Sequence, residues 1–254
     1  MLKHRKFILK QRTSAYCVCI PVINEGERIK IQLKNMKKYA KVVDIIIADG
    51  YGGSKDKSLD HKFLKSNNVR ALLILDEPGK QGTQLRMAFR WALRQGYQGV
   101  IQMDGNNKDG VEAIPRFIKE LDRDYDYIQG SRFIKGGQAI NTPFPRTIGV
   151  RLIASPLISV AAGFWYTDVT NGFRAYSGRY LKNLKVKPFR NVFRGYEFNL
   201  YLTTRAKQLG LRTKEIPVLR KYPKNKVPTK IRKLGDNVDF FASIVKVVFR
   251  YYHP

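Results

Sequence analysis

The stretch Gly99 to Gly110 (GVIQMDGNNKDG) constrains this chain more than any other. Val100, Ile101 and Met103 run into a single aspartate, Asp104, and then come two asparagines, Lys108 and Asp109. A short apolar run bounded by glycines reads as a buried strand of a parallel sheet. Open α/β sheets bind ligands just past the carboxyl ends of their strands, which is where Asp104 falls. Carboxylate and amide oxygens suit a hard divalent cation shared with nucleotide phosphates. The same residues also suit a plain polar turn, so the flanking segments must decide.

Those segments repeat a strand–helix order. Residues 1–15 read as a basic, mobile lead-in. Tyr16 to Val22 is a first strand, and Asn24 with Glu27 has capping-box spacing for the helix that follows. Val42 to Ala48 and Val69 to Leu75 are further buried strands. Gly79 to Thr83 opens a helix whose Leu85, Ala88, Phe89, Ala92 and Leu93 form one apolar stripe, ended by Gly96. The repeating unit predicts a mostly parallel, Rossmann-like α/β sheet flanked by helices. Beyond Ile114 the pattern loosens. Lys135 to Arg146 reads as a mobile loop, and Ile148 to Trp165 as helix on either side of Pro156. Asp168 to Arg174 is a turn into a strand, Phe193 to Leu209 a helix, and Leu211 to Leu219 a late strand. A basic loop (221–233) and an apolar or amphipathic helix (Asn237 to Tyr252) close the chain.

Charge narrows the partners. Forty-eight Lys and Arg against 20 Asp and Glu give a net charge of +28, which calls for an anionic partner. The basic residues are not interleaved with aromatics as in nucleic-acid platforms, so no nucleic acid is expected. The basic N-terminus lacks the apolar core of a signal peptide, and no run reaches the ~18 apolar residues of a membrane span. Cys17 and Cys19 alternate in an apolar strand, which reads as core rather than a disulfide or metal pair. The expected location is cytoplasmic.

The motifs together resemble the family 2 glycosyltransferases of the GT-A fold, most of all the polyprenyl-phosphate (dolichyl-phosphate) mannosyl- and glucosyltransferase branch. Ile20-Pro21-Val22-Ile23-Asn24-Glu25 looks like the family's P-x-x-N-E opening. Ala48-Asp49-Gly50 with Ser54 and Asp56 looks like its D-G-S-x-D loop, and Gly79-Lys80-Gln81-Gly82 like its G-K-x-G turn. Asp104-Gly105-Asn106 occupies the D-x-D place. Gly130-Ser131-Arg132 and Asn171-Gly172-Phe173-Arg174 look like its G-S-R and S-G-F-R signatures. There are two departures. Asn106 replaces the second acid, with Asn107 and Lys108 in place of a more apolar, glutamine-bearing continuation. Asn171 replaces a serine.

The resemblance implies a GT-A domain over residues 16–220, with a nucleotide-sugar half at about 16–112 and an acceptor half at about 113–220. A basic, amphipathic extension follows at 221–254. It implies an inverting glycosyltransferase that moves a hexose from a GDP- or UDP-sugar to a polyprenyl phosphate at the cytoplasmic face of a membrane. Pro21, Asn24, Glu25, Asp49, Gly50, Ser54, Lys80, Gly82, Asp104 and Gly105 would bind the nucleotide sugar. Asp104, Asn106 and Asp109 would hold Mg²⁺ or Mn²⁺, a Lewis acid on the leaving diphosphate. Arg132, Arg146 and Arg151 would hold the acceptor phosphate, which is already ionised near neutral pH and needs cations rather than a base. Asp104, Arg132 and Asp168 are the candidate catalytic residues, Asp168 either orienting an arginine or approaching the reacting centre. The polybasic run Lys221, Lys224, Lys226, Lys230, Arg232 and Lys233, before an apolar helix, suits an anionic membrane surface. Three rivals stand beside this. A saccharide or other non-lipid acceptor would need Asp168 or Glu197 as base. A nucleic-acid-binding protein would account for the charge. A pseudoenzyme would account for Asn106.

Overall fold

Along Tyr16–Val22 successive side chains point to opposite faces. Cys17 and Cys19 enter one apolar cluster, while Val18, Ile20 and Val22 enter the other. That alternation makes a sheet buried on both sides, as parallel strands require. The computed structural model describes residues 2–224 and 234–254. Its first half runs β1 His4–Ile8, β2 Tyr16–Val22, α1 Glu27–Met36, β3 Asp44–Asp49, α2 His61–Ser66, β4 Val69–Leu75, α3 Gln81–Arg94 and β5 Gly99–Gln102. Its second half runs α4 Ile114–Asp122, β6 Tyr127–Ser131, β7 Gln138–Ile140, α5 Phe144–Ile148, a π-helical turn Gly149–Ala154, α6 Ser155–Ala162 and β8 Arg174–Ser177. It ends with α7 Gly178–Lys182, α8 Glu197–Gln208, β9 Thr213–Pro217, β10 Leu219–Lys221 and α9 Leu234–Val248.

The main sheet has the order β1-β4-β3-β2-β5-β8-β6-β9. Strands β2 to β6 and β9 point one way, and β1 and β8 run against them, with β7 and β10 forming a separate parallel pair. Helices α1, α2 and α4 cover one face; α3, α6, α8 and α9 cover the other. The fold is thus the expected helix-flanked, mostly parallel sheet. It brings the carboxyl ends of β2, β3, β5, β6 and β9 and the amino end of β8 to one edge. Asn24, Asp49, Asp104, Arg132 and Arg174 follow or begin those strands.

Two local expectations are corrected and a third is met. Residues 4–8 of the supposed lead-in form β1, antiparallel on β4 from His4–Leu75 to Ile8–Ala71. Its basic residues face outward, a common way to protect a sheet edge, and that charge disguised it. The supposed loop 135–146 contains β7, paired with β10 from Gln138–Leu219 to Ile140–Lys221. Helix lies on either side of Pro156 as expected, with Pro156 in the first turn of α6. The wide turn at Gly149–Ala154 precedes it and absorbs the amide that proline lacks.

Candidate active site

The β2 and β3 ends form one cradle. Asn24, at φ 50°, does not cap α1, which starts at Glu27 behind Gly26. Its amide instead donates to Ser54 Oγ (3.0 Å), and its side-chain oxygen accepts from the Lys55 N–H (2.7 Å). Gly26 N–H donates to Asp56 Oδ2 at 2.7 Å. Asp49 is buried and accepts from Gly50 N–H (3.0 Å), Ser54 N–H (2.7 Å) and Ser54 Oγ–H (2.7 Å). Burial raises its carboxyl above the usual range, partly offset by those bonds. Gln84 of α3 donates to the Val22 and Ala48 carbonyls (2.8 and 3.0 Å), tying helix to cradle. Pro21 is buried within β2. Glu25 is buried and pairs with Arg28 at 2.8 Å. Lys80 is exposed, with its ammonium 3.4 Å from Asp239. Gly82 sits where a methyl group would stand 2.5 Å from the Gly195 carbonyl, so α3 opens hard against residues 194–195.

Asp104 is the centre. Its backbone carbonyl accepts from Gln32 (2.9 Å), Oδ1 from Gln81 (3.3 Å) and Oδ2 from Arg220 Nη2 (3.0 Å). Gly172 packs on it so closely that a methyl group there would stand 2.5 Å from Oδ1. Burial opposes the Asp104 charge, but Arg220, Lys108 and Arg174 outweigh it and hold the carboxyl below its ordinary range. Arg220 also donates to both Asp109 oxygens (2.6 and 2.7 Å). Asp104 keeps 17% of its side chain exposed and Asp109 none, so only Asp104 can meet a ligand. The backbone brings Arg220 here. Gly110 N–H donates to the Leu219 carbonyl (2.9 Å) and Lys221 N–H to the Lys108 carbonyl (2.8 Å). Lys108 is buried, its ammonium 4.7 Å from the Tyr222 ring centroid.

On the β6 side, Arg132 and Asp168 make a two-pronged ion pair (2.6 and 2.8 Å). The remaining Arg132 nitrogen, Nη1, is buried and finds no acceptor among the described residues. Arg146 donates to the Tyr222 hydroxyl at 2.9 Å. Burial would raise that phenol, yet Arg220, Arg146, Lys108 and Arg132 bring it down to about 8. Arg151 is exposed and shares Phe133 with Arg132, their guanidinium carbons 5.5 and 5.0 Å from its ring centroid. Arg174 is buried and bonds the Asn171, Val169 and Asn199 carbonyls, fixing the turn that carries Gly172.

No family model matches the chain. It is 28% identical over 201 residues to an undecaprenyl-phosphate mannosyltransferase of Micrococcus luteus, covering 78% of this chain and 80% of that one. It is 26% identical over 209 residues to a polyprenol monophosphomannose synthase of Mycolicibacterium smegmatis, covering 81% and 77%. Glucosyl-3-phosphoglycerate synthase of Mycobacterium tuberculosis, solved with Mn²⁺, UDP and phosphoglyceric acid, superposes at a TM-score of 0.61. That match has 17% identity and covers 92% of this chain and 75% of that one. The same enzyme with Mn²⁺ and UDP-glucose also gives 0.61. The chain shares the GT-A fold of these solved structures and is similar in sequence to the two mannosyltransferases.

In this chain the residues expected from sequence gather at one sheet edge, with Lys80 and Arg151 at its exposed margins. Solved relatives of the fold carry Mn²⁺ or Mg²⁺, but the side chains here do not fit such an ion. Asp109, expected to supply the carboxylate missing at Asn106, has both oxygens on Arg220. Both Asp104 oxygens already accept, from Gln81 and Arg220. Asn106 Oδ1 is buried without a partner among the described residues, a single neutral oxygen. No cluster of three or more acidic, His or Cys side chains forms a metal site among the described residues. Arg220, Tyr222, Lys108 and Gln32 escaped sequence reasoning as site residues. The only signal for Lys108 was its departure from the family pattern.

Proposed function

We propose that this glycosyltransferase moves a hexose, mannose by the names of its relatives, from a nucleoside-diphosphate sugar to a polyprenyl phosphate, with inversion. The observation that carries this is the buried Arg132 Nη1, a charged donor without an acceptor among the described residues, with Arg132 and Arg146 both bearing on Tyr222. A phosphate oxygen fills that need. Acceptor chemistry points the same way, because a hydroxyl acceptor needs a positioned carboxylate or imidazole base. Asp168 is committed to Arg132, and Glu197 accepts from the Arg194 and Gly195 amides (2.5 and 2.6 Å) at the start of α8. A phosphate oxygen needs no deprotonation. It attacks the anomeric carbon, the new C–O bond forms as the bond to the diphosphate breaks, and the electron pair leaves with the nucleoside diphosphate. Asn24, Asp49 and Ser54 shape the nucleotide cradle, Asp104 orients Arg220, and Arg132 and Arg146 hold the acceptor.

A membrane-surface site agrees with the outer face of residues 144–165. Phe144, Leu152, Val160 and Trp165 are 66–80% exposed there, beside Arg146 and Arg151. Phe241 and Phe249 of α9 are exposed as well. Apolar side chains flanked by arginines suit an anionic lipid interface. Of the polybasic run, Lys221 and Lys224 are described, whereas Lys226, Lys230, Arg232 and Lys233 lie outside the described residues. No described helix is long and apolar enough to cross a membrane. The cytoplasmic face is part of the proposal.

The test offers labelled GDP-mannose, GDP-glucose, UDP-glucose and UDP-galactose with a short polyprenyl phosphate and anionic vesicles. Organic-phase label, lost in Asp104→Ala, is the expected result. Donor hydrolysis or saccharide product without lipid product would overturn the acceptor assignment.

A further inference from the structure

We infer that this site neutralises the donor diphosphate with its own fixed cations, Lys108 and Arg220, in place of a divalent metal ion. The inference rests on the glycosyl-transfer reading above and deepens it.

A nucleoside diphosphate brings two to three negative charges to the edge of β5, and its departure requires that charge to be met. A hard divalent cation needs several anionic or carbonyl oxygens. The place opposite Asp104 offers little of that. Asp104 and Asp109 carry the two acidic charges, and Arg220 spans both at 2.6–3.0 Å. Lys108 is a second buried basic side chain beside it, set against Tyr222. Burial and the Arg220 charge lower its ammonium from the ordinary range, and the Asp104 and Asp109 carboxylates work against that. An ammonium has no lone pair for a metal, and Arg220 already occupies three of the four carboxylate oxygens. A divalent ion placed there would meet two buried like charges in a low-dielectric setting, where repulsion is strong.

The same arrangement suits an anion. The Arg220 guanidinium is locked in orientation by Asp109, so it loses little freedom when a phosphate oxygen meets it. Lys108 is carried on backbone stitched to β10 through the Lys221 N–H bond at 2.8 Å. Its ammonium stands over Tyr222, whose ring also lies 5.9 Å from both the Arg220 and the Arg146 guanidinium carbons. Tyr222 thus joins the donor-side cations to the acceptor-side ones, and one continuous positive lining serves the leaving group and the incoming phosphate. The neutral Asn106 follows from the same logic: beside Asp104 and Asp109, a third carboxylate would only repel the diphosphate.

The experiment measures binding of GDP and of UDP to the full chain by calorimetry, first in EDTA and then with Mn²⁺. Manganese electron paramagnetic resonance reports whether the ion joins the complex. The expected result is binding in EDTA that changes less than about threefold on adding Mn²⁺, with the manganese signal remaining that of the free ion. Lys108→Gln, with its fold checked by circular dichroism and melting, should weaken binding in EDTA about tenfold, and Lys108→Arg should restore most of it. Binding that appears only with Mn²⁺, or a Lys108→Gln variant that binds as the parent does, would overturn the fixed-cation inference and leave glycosyl transfer standing. Failure of both nucleotides to bind under either condition would overturn the donor reading and this inference together.

Discussion

Arg132 and Asp168 face each other across the end of β6 with both prongs of the guanidinium engaged, Nε on Oδ2 at 2.6 Å and Nη2 on Oδ1 at 2.8 Å. Neither side chain is more than 2% exposed. A charge pair this deep holds a third donor, Nη1, in one direction. Asp168→Ala would strand a buried guanidinium, at a cost of about 3–5 kcal/mol in stability. It should also raise the KM for polyprenyl phosphate more than about tenfold while leaving nucleotide affinity near that of the parent. Urea unfolding and acceptor titrations check the two halves separately.

Gly172 offers a finer probe of Asp104. A methyl group there would stand 2.5 Å from the Asp104 Oδ1. Gly172→Ala must push that carboxylate aside, an overpacking cost of about 1–3 kcal/mol. The expected outcome is a folded protein with a lower melting temperature and weakened nucleoside-diphosphate binding. Unchanged affinity by calorimetry would mean that the Asp104 position matters less to the donor than the geometry implies.

Glu215 ties stability to pH. Burial pushes its carboxyl up to about 7, although the Thr167 amide and hydroxyl pull it down. In the unfolded chain a glutamate titrates near 4.3. Between these values the folded protein binds the extra proton. The Glu215 contribution is therefore fully present below about pH 4 and lost as pH rises through about 7, at no more than about 1.4 kcal/mol per pH unit. Urea midpoints at pH 5, 6 and 7 should fall more steeply for the parent than for Glu215→Gln. Parallel lines would count against the perturbed carboxyl.

Removal of residues 2–9 should destabilise the protein and promote association. It deletes β1, uncovers the hydrogen-bonding edge of β4 and removes the packing of Phe7 against His61, whose ring centroids are 4.7 Å apart. The lost burial is about 2 kcal/mol, and an uncovered apolar edge strand invites pairing between copies. Size-exclusion chromatography and melting curves check this.

Much of the molecule was legible from residues 16–104 alone. Period-two apolar runs and bounding glycines locate β2, β4 and β5, and a parallel sheet places whatever follows them at one edge. Asp49 and Asp104 could therefore be proposed as site residues before any tertiary structure, and Arg132, beyond this span, through its G-S-R likeness. The capping-box spacing of Asn24 misled: it does not cap α1, and its side chain instead bonds the Lys55 amide 31 residues away. Arg220 had no local mark at all, being one basic residue in a basic run. Only the fold joins it to Asp109, 111 positions earlier. The connection is made by backbone amides of Gly110 and Lys221, which any non-proline residue could supply, so no side-chain pattern encodes it. Local sequence determines which segments are buried and which strand ends carry acids. The joining of β10 to residues 108–110, and through it the cations set against Asp104, depends on long-range backbone hydrogen bonding, and only the tertiary structure decided it.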